Sequence, residues 1–577
     1  MERHEQTDIS RRQFLSAWGG LMGVATLGFG GEAGIIGQEA QGAEGDEGDE
    51  WGALSLADLR GAEAIIGLRL TDSERTQVLR GLARQRDQFL ARRGVGALEN
   101  YQSPAQIFDP RLPGRTPRAQ GDRLRMFPHL VPDLPQRDVD IAFAPLIHLA
   151  AWIRQGILTS ERLTRIYLDR LERYDSTLHC VVTLMREEAL EQARRADKEI
   201  ASGRYRGPLH GIPWGAKDLF DTSGVRTTWG AMPFKDRVPE TDAYVVKKLA
   251  DAGAVLVAKL TLGALAMGDV WFDDMTRNPF KTEQGSSGSS AGSAAATAAG
   301  LVSFALGTET LGSIVSPSMR CGTTGLRPTF GRVARSGAMA LCWSLDKIGP
   351  ICRSVEDTVL VLSAINGADD QDPSSRNHGF EYDGELDLRK LRVGYAPEWF
   401  AGKEYSEERK VLETLLALGV KPVELDGFER SVRSLYTILG VEAAAAFESL
   451  TFDGRDERLV RQSDGAWPNL FRKAWFVPAV EYVQADRLRR EVMEQMAKWM
   501  DQADVLISPS YAGELLIATN FTGHPSLTLR SAMRDDGTPT GITLWGGLFE
   551  EGVLCAVGRA LEESLDVWSR RPPLFAS

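Results

Sequence analysis

Cysteine and histidine are scarce in this chain of 577 residues, and their placement excludes several classes of protein. The five cysteines include no CxxC pair, and the seven histidines include no HExxH motif. Scattered cysteines of odd number do not make a disulfide framework, and a zinc hydrolase needs three or four ligands that converge on the metal. We therefore expect neither a disulfide-stapled domain nor a metal site, and we predict no cofactor.

An excess of basic charge is also missing. Lys and Arg number 67 against 79 Asp and Glu, which gives a net charge of −12. A nucleic-acid-binding protein normally carries a basic stripe, so we predict that nucleic acid is not a partner. Beyond the first 42 residues the chain also lacks an apolar run long enough to span a bilayer, so we expect no stable membrane anchor.

The N-terminus carries the features of an export signal. Residues 10–15 read SRRQFL, and an uncharged stretch with several glycines follows as far as Gly31. A twin-arginine pair before a weakly apolar segment is typical of a bacterial Tat signal. The glycines make the alternative, a transmembrane helix, a poor one. We predict a signal peptide over 1–42, the Tat export machinery as a partner, and a periplasmic or secreted location in a bacterium.

The segment after the predicted signal differs in composition from the rest of the chain. A glycine-rich acidic spacer occupies 44–50, and the capping box Thr71–Glu74 predicts the start of a charged helix that ends near Arg93. Proline and arginine are frequent from 94 to 138, which is typical of a long connector. We interpret 43–138 as this spacer followed by a helical N-terminal extension.

The remaining residues, 139–577, are interpreted as the main domain. Helical segments alternate with short apolar runs such as 254–258 and 505–507, and this alternation predicts an α/β fold. Residues 372–500 contain charge-rich helices with scattered aromatic residues. We interpret that part as a variable lid or insertion over a substrate pocket.

Glycine and serine concentrate between residues 285 and 318. GSSGSSAG at 285–292 leads into an alanine-rich segment, and an apolar run separates it from a second turn, GTETLGS at 307–313. Glycine–serine runs usually form linkers, but the apolar flanks here predict burial, and linkers do not lie in cores. Two serine-bearing turns brought together by a helix and a strand favour a hydrolase site, because glycine-rich turns can direct N–H groups at an oxyanion.

A serine nucleophile needs a base, and no histidine lies near these two turns in the sequence. A buried lysine can serve when desolvation lowers its pKa from about 10.4 toward neutrality. Lys217 lies in the mostly apolar segment GIPWGAKDLF at 211–220, where a surface lysine is the alternative interpretation. Lys217 is therefore our candidate for the base.

Together these segments resemble the amidase signature family of serine hydrolases. Further matching blocks are CGTTGLRPTFG at 321–331, KIGPICRSVED at 347–357 and TNFTGHP at 519–525. The resemblance implies an α/β fold with a large mixed sheet of about eleven strands and helices on both faces. It also implies an enzyme that hydrolyses a carboxylic amide C–N bond through an acyl-enzyme intermediate, with a small-molecule or peptide amide as substrate.

The resemblance also implies the site residues. The family uses a Ser–cis-Ser–Lys triad, and similarity assigns the base to Lys217, the bridging serine after a cis peptide bond to Ser289, and the nucleophile to Ser313. The oxyanion hole and substrate contacts are assigned to the backbone at Thr310, Leu311 and Gly312. The chain departs from the family pattern at Ser287, Ala291, Glu309, Leu311 and Val315. These departures bear on substrate preference more than on the type of reaction.

Other interpretations stay open. GSSAG at 288–292 also fits the G-x-S-x-G elbow with Ser290 as nucleophile, although we expect no strand before it because 277–284 is polar and contains proline. Ser344 and Lys347 fit S-x-x-K, but the K-T-G motif is missing. Within the family, the chain could instead be a tRNA-dependent amidotransferase of the A type or a catalytically inactive binding protein on the same scaffold.

Overall fold

The structure is a computed structural model, and it describes residues 53–96, 98–428 and 431–577. The predicted signal peptide 1–42 and the acidic spacer at 44–50 lie outside the described residues. Among the helices in the described ranges, none combines the length and the apolar composition needed to cross a membrane.

The strands, in chain order, are β1 (Arg123–Arg125), β2 (Val181–Leu184), β3 (Pro213–Lys217), β4 (Val255–Leu260), β5 (Arg277–Asn278), β6 (Lys281–Gly285), β7 (Phe304–Glu309), β8 (Thr324–Arg327), β9 (Lys347–Cys352), β10 (Glu381–Asp383), β11 (Arg392–Tyr395), β12 (Lys421–Glu424), β13 (Val505–Pro509), β14 (Ser526–Met533) and β15 (Pro539–Gly546).

The α-helices are α1 (Leu56–Ile66), α2 (Asp72–Gly94), α3 (Asp138–Ala142), α4 (Leu146–Arg154), α5 (Ser160–Leu178), α6 (Arg186–Ala201), α7 (Tyr244–Asp251), α8 (Ala291–Ala298), α9 (Val315–Cys321), α10 (Val355–Ile365), α11 (Ser406–Ala417), α12 (Tyr436–Ala446), α13 (Glu448–Phe452), α14 (Trp467–Ala474), α15 (Ala479–Gln502), α16 (Leu515–Phe521) and α17 (Glu551–Leu565).

Within the described residues, an 11-stranded mixed sheet organises the fold, in the order β12-β11-β13-β15-β14-β8-β9-β7-β3-β4-β2. Strand β3 lies parallel to β4 on one side and to β7 on the other. Strands β8, β9, β14 and β15 pair antiparallel with their neighbours. This arrangement confirms the predicted α/β fold with a mixed sheet of about eleven strands.

The centre of the sheet is buried on both faces. Every residue of β3, β4, β7 and β9 is buried, and successive side chains of a strand point to opposite faces. Helices and loops must therefore cover both sides of these strands. The carboxyl ends of β3 and β7, which are parallel neighbours, lie at the same edge of the sheet. That edge is where Lys217 and the turn after Glu309 emerge.

The segment that precedes residue 139 contains the helices α1 and α2 and then contacts the rest of the chain. Thr71 caps α2 in a reciprocal capping box with Glu74, and α2 ends at Gly94, one residue beyond the predicted end. Farther along, β1 pairs in parallel with β10, and Arg115 forms an ion pair with Asp501 on α15 at 2.7 Å.

Residues 372–500 do more than the interpretation as a lid or insertion anticipated. Strands β11 and β12 of this part extend the central sheet, and β11 pairs in parallel with β13. Helices α12 to α15 follow outside the sheet. The sequence pattern did not indicate the two strands, because each is only four residues long and their flanks are rich in charge.

Candidate active site

Lys217 is the last residue of β3, and its side chain is completely buried. Its Nζ atom lies 2.9 Å from Ser289 Oγ, 3.0 Å from Ser290 Oγ and 2.8 Å from Thr308 Oγ1. Strand β3 brings the lysine here because it is paired directly with β7, which carries Thr308. The alternative interpretation of Lys217 as a surface residue is therefore wrong.

Burial determines the charge state of this lysine. Desolvation lowers the pKa of Lys217 well below its ordinary value of 10.5, and the negative charges of Asp346 and Glu309 oppose the shift only in part. In the described structure none of its close partners is a carboxylate, because Nζ contacts only hydroxyl and carbonyl oxygens. The environment therefore favours a neutral amine that can accept a proton.

The serine-rich turn between β6 and α8 supplies two of the hydroxyls around Lys217. The peptide bond between Gly288 and Ser289 is cis. Ser290, which immediately precedes α8, donates its hydroxyl proton to Thr308 O at 3.1 Å. Its backbone N–H donates to Ser313 O at 3.2 Å, which fastens this turn to the one after β7.

Ser313 lies in the turn that joins β7 to α9. Gly312 has a φ of 83°, a left-handed conformation that glycine adopts without steric cost. Within the described residues, the Ser313 hydroxyl makes no hydrogen bond, and the N–H groups of Leu311 and Gly312 donate to no acceptor. The turn therefore presents a free hydroxyl beside unpaired N–H groups.

The buried carboxylate of Glu309 fixes the turn that carries Ser313. Glu309 Oε2 accepts hydrogen bonds from the N–H groups of Ile314 and Val315, at 2.8 and 2.9 Å. Glu309 Oε1 accepts from Arg327 Nη1 at 2.6 Å and from Asn520 at 2.8 Å. Burial alone would raise the pKa of Glu309, but the Arg327 charge and the N–H donors outweigh it and hold the pKa at about 2.

The arginine of this ion pair was not predicted. Position 315, one of the predicted departures from the family pattern, is occupied by valine. Arg327 on β8, within the block 321–331, supplies the positive charge beside Glu309, and it is fixed by Thr519 Oγ1 at 3.0 Å and by the His524 carbonyl at 2.7 Å. A buried arginine thus reaches Glu309 from another strand.

Thr310 is held by its side chain as well as by its position in the turn. Its hydroxyl donates to Asp346 Oδ1 at 2.6 Å, while Asp346 Oδ2 accepts from the N–H groups of Leu341 and Cys342. The loop before β9 is therefore linked to the turn that carries Ser313.

The two rival serines lie in different surroundings. A strand, β6, does precede Ser290, so the expectation of no strand there is wrong. The four residues of β6 before Gly285 are polar, and for that reason the sequence did not indicate a strand. That strand pairs only with β5 in a two-stranded sheet, unlike the parallel sheet of a nucleophile elbow. Ser344 donates to Glu442 Oε1 at 2.6 Å, whereas Lys347 Nζ donates to the Leu345 carbonyl.

The structure brings Lys217 and Ser289 into direct contact and joins the Ser313 turn to them through Ser290. Sequence reasoning missed Thr308 as a partner of Lys217, although Thr308 belongs to the GTETLGS motif. It also missed Arg327 and Asp346. Both lie inside the quoted family blocks or beside them, but nothing in a one-dimensional pattern shows which side chains meet.

Comparison with known proteins identifies the family of the chain. The family model described as Amidase matches residues 162–516. A glutamyl-tRNA(Gln) amidotransferase subunit from Thermosynechococcus vestitus is 33% identical over 467 residues, which are 72% of this chain and 97% of that protein. The native peptide amidase from Stenotrophomonas maltophilia has a TM-score of 0.68 at 30% identity and is covered completely, against 76% of this chain.

A bacterial aryl acylamidase of the amidase signature family is a more distant structural relative. It has a TM-score of 0.66 at 22% identity and covers 74% of this chain, so it supports the fold alone. The chain belongs to the amidase family, and it is an enzyme that hydrolyses carbon–nitrogen amide bonds. The family assignment anticipated from the sequence blocks is confirmed.

Proposed function

We propose that the enzyme hydrolyses carboxylic amides through the triad Ser313, Ser289 and Lys217 and an acyl-enzyme intermediate. The observation that carries the proposal is the 2.9 Å contact between a buried Lys217 amine and Ser289 Oγ. Two serine hydroxyls contact the lysine amine. Ser290 already donates its proton to Thr308 O, so Ser289 is the serine whose proton is available to the lysine lone pair.

In this mechanism Lys217 takes the proton of Ser289, and Ser289 takes that of Ser313. Ser313 Oγ then attacks the amide carbonyl carbon, and the N–H groups of the turn from Thr310 to Ser313 stabilise the developing oxyanion. The relay returns the proton to the leaving amine as the C–N bond breaks. Water hydrolyses the resulting ester and restores the Ser313 hydroxyl.

Single replacement of three serines tests the assignment. We expect Ser313→Ala to lower amide hydrolysis by roughly 10⁴-fold or more and to abolish labelling by a fluorophosphonate probe. Ser344→Ala is the matched control, because Ser344 is held by Glu442 outside the triad. Ser290→Ala should keep the labelling with reduced activity, since Ser290 contacts Lys217. Undiminished labelling of Ser313→Ala would contradict the proposal and favour Ser290 as the nucleophile, whereas no labelling of the wild type would favour an inactive scaffold.

Thr310 provides a second prediction. Thr310→Val keeps the side-chain volume but removes the donor to Asp346, so the turn loses one hydrogen bond to a charged group, worth about 1.5–3 kcal/mol. If that energy holds the oxyanion N–H groups in place, kcat falls by about 10-fold to 10²-fold with little change in KM. Thr310→Ser keeps the donor and should retain most of the activity. An equal loss of activity in both variants would contradict the prediction, because it would show that the hydrogen bond to Asp346 is not what supports kcat.

A second candidate function comes from the curated relatives that are named as glutamyl-tRNA(Gln) amidotransferase subunits. In that case the chain would act on an amide in an assembly that modifies glutamyl-tRNA. Turnover of small amides by the isolated chain, without tRNA or other proteins, favours the free amidase. Turnover that appears only when those components are added favours the alternative.

We also propose that residues 1–42 are a Tat signal and that the enzyme works in the periplasm or outside the cell. The support is the SRRQFL segment at 10–15 and the uncharged stretch after it. The division into 43–138 and 139–577 is proposed on the same sequence grounds. Fractionation of cells that express the chain, with and without Arg11→Lys and Arg12→Lys, tests the export.

A further inference from the structure

A cavity of about 450 Å³ adjoins the candidate active site. Thr308 and Thr310, which flank Glu309 on β7 and its turn, line the end next to Lys217. Most of the remaining wall is apolar, and it includes Leu219, Met339 and Leu341. The volume lies within the range of about 300–1,000 Å³ that is usual for small-molecule sites. A substrate bonded at Ser313 could therefore extend an apolar group into this space.

The charged side chains on the wall are already engaged by the protein. Arg335 forms an ion pair with Asp372 at 3.1 Å. Both carboxylate oxygens of Asp346 accept hydrogen bonds. Lys347 has no carboxylate partner in the described structure and donates to the Leu345 carbonyl, and burial lowers the pKa of its amine well below the ordinary value, which favours the uncharged form. Glu99 is the exception, and it lies at the exposed rim. The interior of the cavity thus combines a mostly apolar wall with a paired Arg335, a hydrogen-bonded Asp346 and a buried Lys347 whose neutral form is favoured, and it suits an uncharged group.

One wall comes from the N-terminal extension, through residues Glu99–Ser103, which we name the strap. Asn100 anchors the strap: its Nδ2 donates to Ala340 O at 2.8 Å, and its Oδ1 accepts from Ala340 N at 2.7 Å. Trp343 Nε1 donates to Asn100 O at 3.1 Å. The strap lies outside the residues 162–516 that match the family model, and it belongs to the segment 43–138 that we interpret as an N-terminal extension.

We propose that the cavity binds an uncharged apolar group of the amide substrate and that the strap determines how long this group can be. The inference rests on the proposed function. Gln102 is the residue best suited to test it, because it lines the cavity, is exposed, and makes no side-chain hydrogen bond within the described residues. Replacing it changes the wall without removing an anchor of the strap.

Two series of substrates measure the length limit. One consists of the p-nitroanilides of acetic, butyric, hexanoic and octanoic acid, and the other of N-alkyl acetamides of increasing alkyl length. In one of the series, kcat/KM of the wild type should rise by about 4-fold for each buried methylene until the cavity is filled. A terminal carboxylate on the same chain should remove that gain, because the charged group would lose its water against a mostly apolar wall.

The strap variants should move the limit in opposite directions. Gln102→Trp narrows the cavity, so the rise should stop at a shorter chain, whereas Gln102→Ala should let it continue to a longer one. The readout is the ratio of kcat/KM for long and short substrates. Gln77→Trp is the matched control, since Gln77 is an exposed glutamine of α2 in the same extension, and its ratio should equal that of the wild type.

The outcomes separate this inference from the proposed function. If the wild type hydrolyses the acetyl substrate and Ser313→Ala does not, the triad assignment stands whatever the strap variants do. Equal ratios in wild type, Gln102→Trp and Gln102→Ala would then overturn the role of the strap alone. A preference for the carboxylate-terminated substrate would overturn the assignment of an uncharged group.

Discussion

Lys217→Met should lower amide hydrolysis by about 10²-fold to 10⁴-fold, the usual contribution of a general base. Methionine has a similar length and no amine, so it keeps the apolar volume at the end of β3 while the proton acceptor for Ser289 disappears. Lys217→Arg is the informative partner variant. It retains a long cationic side chain but cannot lose its proton, so it should be equally inactive. Activity in Lys217→Arg near that of the wild type would exclude a neutral base.

The same lysine makes a prediction for pH. Activity requires the neutral amine, so it should fall as the pH drops through the pKa of Lys217 in the folded protein, which lies well below 10.5. Because the unfolded chain binds this proton more tightly than the folded one, the buried amine destabilises the fold below pH 10.5 and ceases to do so above it. Lys217→Met should therefore raise Tm near neutral pH, and the gain should shrink toward alkaline pH.

Glu309→Gln should have the largest effect on stability. The variant leaves the Arg327 guanidinium buried without its counter-charge, which costs about 3–5 kcal/mol for a broken buried ion pair. Chemical denaturation at neutral pH measures this loss. Since the folded pKa of Glu309 is about 2 and the ordinary value is 4.5, the carboxylate stabilises the fold above pH 4.5. Its contribution disappears as the pH falls toward 2, where wild type and variant should converge.

A double variant separates the stability of this ion pair from its role in the turn. In Glu309→Leu with Arg327→Met both charges are replaced by apolar groups, so much of the lost stability should return. The N–H groups of Ile314 and Val315 would still lack their acceptor, and activity should stay low because the Ser313 turn is no longer fixed. Recovery of full activity together with stability would show that Glu309 serves only the ion pair.

The parts of the molecule that sequence could predict are those written in short contiguous motifs. Strands β4 and β13 and the helix after Ser290 follow from apolar runs and from alanine content, and the eleven-stranded sheet follows from the family resemblance. The pairing of Glu309 with Arg327 could not be predicted, because it depends on how β7, β8 and β9 lie side by side. The strands β11 and β12 were not predicted for another reason, since four residues are too few to show a periodic pattern.

The strap is a clearer case of a contact that sequence patterns cannot predict. Residues 94–138 have the composition of a connector, and their contact with the cavity depends on one asparagine, Asn100, that meets a loop 240 positions away in the chain. No local propensity encodes such a meeting. Only the folded chain shows that this segment forms a wall beside the active site.

The attachment of the strap through Asn100 also bears on how such an enzyme can change over time. The reacting groups belong to the sheet and its turns, while the neighbouring wall belongs to a segment that joins the domain through few bonds. Altered or exchanged segments could therefore give the same reaction a new range of compounds without disturbing its chemistry. Laboratory libraries restricted to the five positions of the strap, 99–103, offer a compact way to change which amides the enzyme accepts.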